Sequence, residues 1–156
     1  MAPFDEYVRD ASTRLFRTAY LLVGERTAAE DLLQEVLERM YVRWSRIEDP
    51  EAYARRALAT RAINRWRLRR RRPEVPLEGH DRPVWDQSTS IQQDVLRALA
   101  GLPAGQRTVV VLRFFNDLSV EQTAEALGCT TGTVKSQTAR ALPRLREQLT
   151  HLVDKE

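Results

Sequence analysis

The stretch that decides the fold is LSVEQTAEALGCTTGTVKSQTARAL, residues 118–142. Ser119 with Gln122 three positions on is a capping box, which opens a short helix that buries Val120, Ala124 and Leu127 before Gly128 stops it. A second helix starts near Thr131 and carries Val134, Leu142, Leu145 and Leu149. Small Ala124 permits close crossing, Gly128 makes the turn, and Val134 packs back at a fixed offset; together they predict a helix-turn-helix. That geometry turns Thr131, Thr133, Ser136, Gln137 and Arg140 away from the core, a polar set suited to base edges in a major groove. Lys135 flanks them as a phosphate contact. A purely structural hairpin, in which Thr131 is no more than a cap, fits the same letters. Pro143 removes one backbone hydrogen bond beyond the reading residues and predicts a kink there.

Upstream of this unit, Gln106 to Phe115 reads as a helix whose run VVVLRFF is too apolar for a surface. Ile91, Val95, Leu96 and Leu99 mark a short helix ended by Gly101 and Pro103. Before it, PEVPLEGHDRPVWDQSTS has three prolines, a glycine and no sustained period, so it reads as a linker. The first part of the chain carries three amphipathic helices. Phe4, Tyr7, Val8, Ala11, Leu15, Ala19 and Leu22 share one face of the first, which Gly24 ends. The second opens with Thr27 and Glu30 as a capping box and buries Leu32, Leu33, Val36, Leu37, Met40, Tyr41 and Trp44. The third starts at Asp49-Pro50, an acid cap before a first-turn proline, and runs through Tyr53, Leu58, Ala62, Ile63 and Trp66 into a row of arginines. No stretch alternates as a strand would. The expectation is an all-α chain of two small helical domains, residues 1–73 and 91–156, joined by a flexible linker at 74–90. At that size a lone core is marginal, so partners add stability.

The 156 residues include 25 basic and 22 acidic ones, a net charge of +3, with 42 % apolar side chains. No window is apolar enough to span a membrane, and the start MAPFDEYVRD carries acids where a secretory signal needs a basic end and an apolar run. A cytoplasmic protein with no membrane insertion is expected. The single cysteine, Cys129, excludes an internal disulfide framework and a Cys-rich zinc site. The two histidines, His80 and His151, stand apart, and there is no Gly-rich phosphate loop or nucleophile beside a base. Neither an enzyme nor a bound cofactor or metal is expected. The net charge hides a segregation: −3 over residues 1–50, +8 over 51–73, −4 over 74–94 and +2 over 95–156. Nearly all the positive charge is arginine, suited to bidentate phosphate contact, and the run RLRRRRP at 67–73 adjoins Trp66. A polyanion would meet one basic stretch between an acidic front and an acidic connector.

Four pieces in this order resemble the extracytoplasmic-function (group IV) sigma factors of bacterial RNA polymerase, and among them the SigE-type actinobacterial subgroup: AEDLLQEVLERMYVRW at 29–44, DPEAYARRALATRAINRWRLRRRR at 49–72, LPAGQRTVVVLRFFNDLSVEQTAEALGC at 102–129 and TTGTVKSQTARALPRLR at 130–146. The resemblance implies a region 2 helical bundle, a linker, and a region 4 with the helix-turn-helix. It implies that the first piece binds the clamp coiled coil of the polymerase β′ subunit through Asp31, Gln34, Glu35 and Glu38, on an outer face opposite Leu33, Val36, Leu37 and Met40. It assigns the minus-ten promoter element to Arg55, Arg56, Thr60, Arg61, Asn64, Arg65, Arg67 and Arg69, with Trp66 as core or as a stacking platform. Thr131, Thr133, Lys135, Ser136, Gln137 and Arg140 fall to the minus-thirty-five element, and the surface beyond Pro143 to the β flap. The connector, with Trp85, Glu74, Glu78, Asp81 and Asp86, would thread the RNA channel. An anti-sigma factor is a further implied partner. This chain departs from the common pattern at Thr60-Arg61, Ile63-Asn64-Arg65 and Gln137, so its base preference is its own. The rival reading, a stand-alone helix-turn-helix regulator binding operator DNA as a dimer, leaves the acidic and basic helices of the first half without a task.

Overall fold

A computed structural model describes residues 3–71 and 90–153; the connector apart from Ser90, with Trp85 and its acids, lies outside the described residues, as does Arg72. Within the described residues there is no strand. The helices are α1 (Phe4–Val23), α2 (Arg26–Arg43, followed by a 3-10 turn at Trp44–Arg46), α3 (Pro50–Arg71), α4 (Ser90–Ala100), α5 (Ala104–Val110, running on into a π-helical turn at Val111–Phe115), α6 (Val120–Leu127) and α7 (Thr131–Val153).

Local chemistry sets most of these boundaries. Asp5 and Glu6 lie in the first turn of α1, where the positive end of the helix dipole favours acids. Gly24 closes α1 in the left-handed conformation at φ 77°, its N–H bonded to the Tyr20 carbonyl. The Asp49 carboxylate accepts the Ala52 N–H at 3.2 Å, as its place before Pro50 predicted. One start differs from expectation, that of α2, whereas α7 begins at Thr131 as expected. Helix α2 begins one residue before Thr27, after an extended Glu25, and Arg26 takes Glu30 into an ion pair at 3.1 Å, so the expected capping box does not form. Helix α7 is capped by Thr130, whose Oγ1 accepts the Thr133 N–H at 3.1 Å, and Thr131 occupies the first turn. Across Pro143 the helix continues to Val153.

The first three helices pack Ala11, Leu15, Ala19 and Leu22 of α1 against Ala29, Leu32, Val36 and Met40 of α2 and Ala54, Leu58 and Ala62 of α3. Small residues at the crossings let the helix axes approach closely, and each buried Leu or Met contributes about 1.5–3 kcal/mol. At one end Trp44 meets Phe4 edgewise and Tyr7 at a tilt, and the Tyr7 hydroxyl donates to the Glu51 carboxylate at 3.1 Å. Arg14 also pairs with Glu51. Burial, and then the adjoining Glu51 charge, push the Tyr7 hydroxyl well above its ordinary range.

The same apolar cluster continues through Leu96, Leu99 and Leu102 to Val110, Val111 and Ala141, so both parts of the chain share one core. Two expectations about apolar faces are corrected there. Phe114 and Phe115 are 46 % and 45 % exposed, because the π turn rotates them outward after Val109–Leu112 have been buried. Tyr41, expected inside, is 68 % exposed and meets Phe4 edge-on.

Candidate polymerase and nucleic-acid interfaces

On α2, Asp31, Gln34 and Glu38 are exposed and recur at helical spacing, forming the expected outer stripe. Glu35 departs from it. Its carboxylate faces α3, accepting Arg61 Nη1 at 2.8 Å and Arg65 Nη2 at 3.3 Å. Two arginines one turn apart on α3 therefore share a single acid on α2.

That ion-pair cluster forms one wall of an open groove of about 750 Å³ between α2 and α3. Arg39, Arg56, Arg61 and Arg65 line it against the lone carboxylate of Glu35, with Thr60 and Asn64 supplying hydrogen-bonding groups and Tyr53 an aromatic surface. Arg56, Thr60 and Asn64 are exposed and spaced four residues apart, so α3 presents them in one row. Four guanidinium groups facing one acid make the groove electropositive, suited to a phosphate backbone whose bases can turn toward Thr60, Asn64 and Tyr53. Of the remaining residues expected for the minus-ten element, Arg67 is exposed. Arg55 lies on another flank, half-buried, 4.0 Å from Glu51, and borders a second cleft with Arg56 and, from α6, Gln122 and Glu125. The side chain of Arg69 lies outside the described residues. Trp66 is half-buried, with the guanidinium of Arg107 over its ring at 5.8 Å from the centroid, so the core reading accounts for its inner face. Sequence reasoning missed Arg39 and Tyr53. Arg39 sits one turn from Glu35, a spacing that could have signalled it.

The second face is the helix-turn-helix. Ser119 and Gln122 close their capping box reciprocally, with Gln122 N–H to Ser119 Oγ at 3.0 Å and Ser119 N–H to Gln122 Oε1 at 2.9 Å. Gly128 turns the chain at φ 67°, a left-handed conformation, and the Cys129 N–H returns to the Ala124 carbonyl at 3.0 Å. Val134 is fully buried against Ala124 and Val109, which fixes the crossing of α6 and α7. Thr131, Thr133, Lys135, Ser136 and Arg140 are thereby exposed on one side of α7. Gln137 is half-buried: its amide nitrogen lies 3.1 Å from where a Cβ on Gly105 would stand, so the side chain rests on α5. Cys129 is half-buried at the turn.

No helix among the described residues is long and apolar enough to cross a membrane.

Comparison with known proteins places both faces in one family. Residues 7–72 match the family model described as Sigma-70 region 2, and residues 92–145 the one described as Sigma-70, region 4. The chain is 44 % identical over 155 residues to the RNA polymerase sigma-E factor of Streptomyces coelicolor, covering 94 % of this chain and 85 % of that one. It is 31 % identical over 154 residues to the ECF RNA polymerase sigma factor SigM of Mycobacterium tuberculosis, covering 96 % and 78 %. Its fold matches the sigma factor RpoE in a co-crystal structure with the anti-sigma factor NepR from Bartonella quintana, with a TM-score of 0.78 at 28 % identity, over 94 % of this chain and 96 % of that one. With the two matched regions in this order and these relatives along nearly its whole length, the chain belongs to the extracytoplasmic-function group of the sigma-70 family of RNA polymerase sigma factors.

Proposed function

We propose that this sigma factor directs promoter-specific transcription initiation through three surfaces, acting in the cytoplasm with core RNA polymerase and without catalytic chemistry of its own. The stripe of Asp31, Gln34 and Glu38, bordered by Glu35, engages a basic surface of the β′ clamp, where acids steer the encounter. The α2–α3 groove holds the unpaired strand of the minus-ten element: Arg56, Arg61, Arg65 and Arg67 contact phosphates while Thr60, Asn64 and Tyr53 meet extruded bases. Unstacking a base costs a few kcal/mol, which stacking and phosphate contacts offset. The exposed face of α7 reads the minus-thirty-five element, with Lys135 on the backbone and Gln137 on a base edge, and region 4 also grips the β flap. An anti-sigma factor is proposed as a further partner, by likeness to the complexed RpoE.

The observation that carries this reading is the groove itself, four guanidinium groups against one carboxylate beside an exposed Thr60 and Asn64 on the same helix row. The test is a titration of core polymerase with the wild-type chain and with Glu38→Lys. Reversal of that exposed charge is expected to weaken the complex at least fivefold. Equal affinities would remove the stripe from the polymerase interface.

A further inference from the structure

Gln137 stands at the border between the packed seam and the reading face of α7. Val134 and Ala141, three residues before it and four after, are fully buried, whereas Thr133, Ser136 and Arg140 are exposed. The residue beneath its amide is a glycine that the backbone does not require. Gly105 lies inside α5 and outside the left-handed region that Gly24 and Gly128 occupy. Glycine within a helix is destabilising relative to alanine. What the missing side chain provides is room. Among the described residues, apart from its own neighbours in the helix, a Cβ at position 105 would come within 4 Å of Gln137 alone, with Nε2 at 3.1 Å and Cδ at 3.8 Å. A second seat of the same kind lies further along α7: a Cβ on Gly101 would stand 3.0 Å from Gln148 Nε2. Gln148 follows Pro143, away from the reading residues, so it offers a matched comparison.

We infer that Gly105 is a positioning residue for base readout, acting through Gln137. This rests on the proposed role of α7 as reader of the minus-thirty-five element. A glutamine free on a helix surface samples several rotamers, and ordering such a side chain on binding costs entropy. Resting on α5, Gln137 is ordered before DNA arrives, and because it is only half-buried its amide keeps one side open. An amide offers an acceptor and a donor together, the pair that matches the N6 and N7 edge of adenine. An alanine at 105 meets Nε2 at a separation tighter than ordinary van der Waals contact. The flexible end of the glutamine then yields, either by a few tenths of an ångström or by taking another rotamer. A bidentate contact with a base edge is sensitive to that displacement. The phosphate contact assigned to the exposed Lys135 is not. Gly105 therefore sets base preference from a helix that need not touch the base.

The test uses holoenzyme reconstituted from core polymerase and the full chain as wild type, Gly105→Ala, Gln137→Ala, the double variant and Gly101→Ala. The probes are promoter duplexes chosen by 5′-end mapping, with each base pair of the upstream element varied in turn, and circular dichroism follows the folding of each chain. Gln137→Ala is expected to flatten the preference at one base pair. Gly105→Ala should lower the preference at that same pair by about two- to tenfold, the equivalent of one side chain losing its prior order. In the Gln137→Ala background it should add nothing, and Gly101→Ala, which displaces Gln148, should keep the wild-type pattern. Wild-type preference in Gly105→Ala overturns the inference. So does a change that is uniform over all base pairs, that persists without Gln137, or that Gly101→Ala reproduces. A Gly105→Ala chain that fails to fold overturns it too, because a yielding Gln137 leaves the fold intact. If Gln137→Ala alters no base pair the inference falls alone, provided the wild type still prefers a defined upstream element. A wild-type holoenzyme with no preference at any upstream pair overturns the promoter reading along with it.

Discussion

Replacing Glu35 with Gln tests the electrostatics of the groove. The carboxylate lies 2.8 Å from Arg61 Nη1 and 3.3 Å from Arg65 Nη2, with the two arginine side chains 25 % and 31 % exposed and Glu35 45 % exposed. At that exposure each pair contributes about 0.2–1 kcal/mol, so the substitution costs about 1 kcal/mol in all and lowers Tm by about 2–4 °C. The gain is larger than the loss for DNA. With Glu35 present the trio offers an approaching strand a net charge of +1; with Gln it offers +2. One further counterion released steepens the log–log salt dependence of single-strand binding by about 0.7. The assay is fluorescence anisotropy of a labelled single-stranded oligonucleotide against the free chain, from low to moderate salt. A folded Glu35→Gln chain whose salt slope equals that of the wild type would refute the reasoning, because it would mean that Arg61 and Arg65 do not face the strand.

Other consequences follow from the caps, the ion-paired Glu51 and the reading helix. Lys135→Ala is expected to weaken binding to all promoters alike, whereas Gln137→Ala relaxes preference at one base step by about 1–3 kcal/mol, measured by binding to a panel of single-base variants; uniform loss from both contradicts their assigned roles. Ser119→Ala opens the capping box of α6 and should cost about 1 kcal/mol in a thermal melt. Burial raises the Glu51 carboxyl, but the hydrogen bond and charge of Arg14, aided by Tyr7 and Arg55, outweigh it and leave the group below its ordinary 4.5. A carboxyl lowered on folding adds stability that is present above that value and lost as pH falls through the folded one. The Tm difference between wild type and Glu51→Gln should accordingly narrow on acidification below about pH 4.5, and a difference that stays constant to about pH 3 would exclude the linkage.

What was legible in the sequence is what neighbours in sequence decide. Gly24, Asp49-Pro50, Ser119 with Gln122, and Gly128 each act within one turn of helix, and all appear where the letters place them. The one helix start that slipped, with Glu25 as the cap of α2 in place of Thr27, is a choice between nearby polar residues that propensity alone does not rank. The direction of Glu35 was hidden because helical periodicity gives a face but not the neighbour beyond its edge; Arg61 and Arg65 pull the acid toward α3. Phe114 and Phe115 read as core because a regular helix would bury them, and a π turn cannot be read from hydropathy. Arg107 was the least legible. A charged residue is expected in water, and its seat is assembled from Leu21, Gly24 and Trp66, which come close only after the two regions have met. The expected pair of separate domains thus takes the form of two regions sharing one core.

As a sigma factor, this chain is expected to confer start-site choice on a polymerase that otherwise lacks it. In vitro transcription with core RNA polymerase on genomic fragments, followed by mapping of the 5′ ends, tests that directly. Discrete start sites are expected that appear only with the chain added and share two upstream elements, one read by α7 and one held in the α2–α3 groove. Transcripts whose 5′ ends are the same with and without the chain would contradict it.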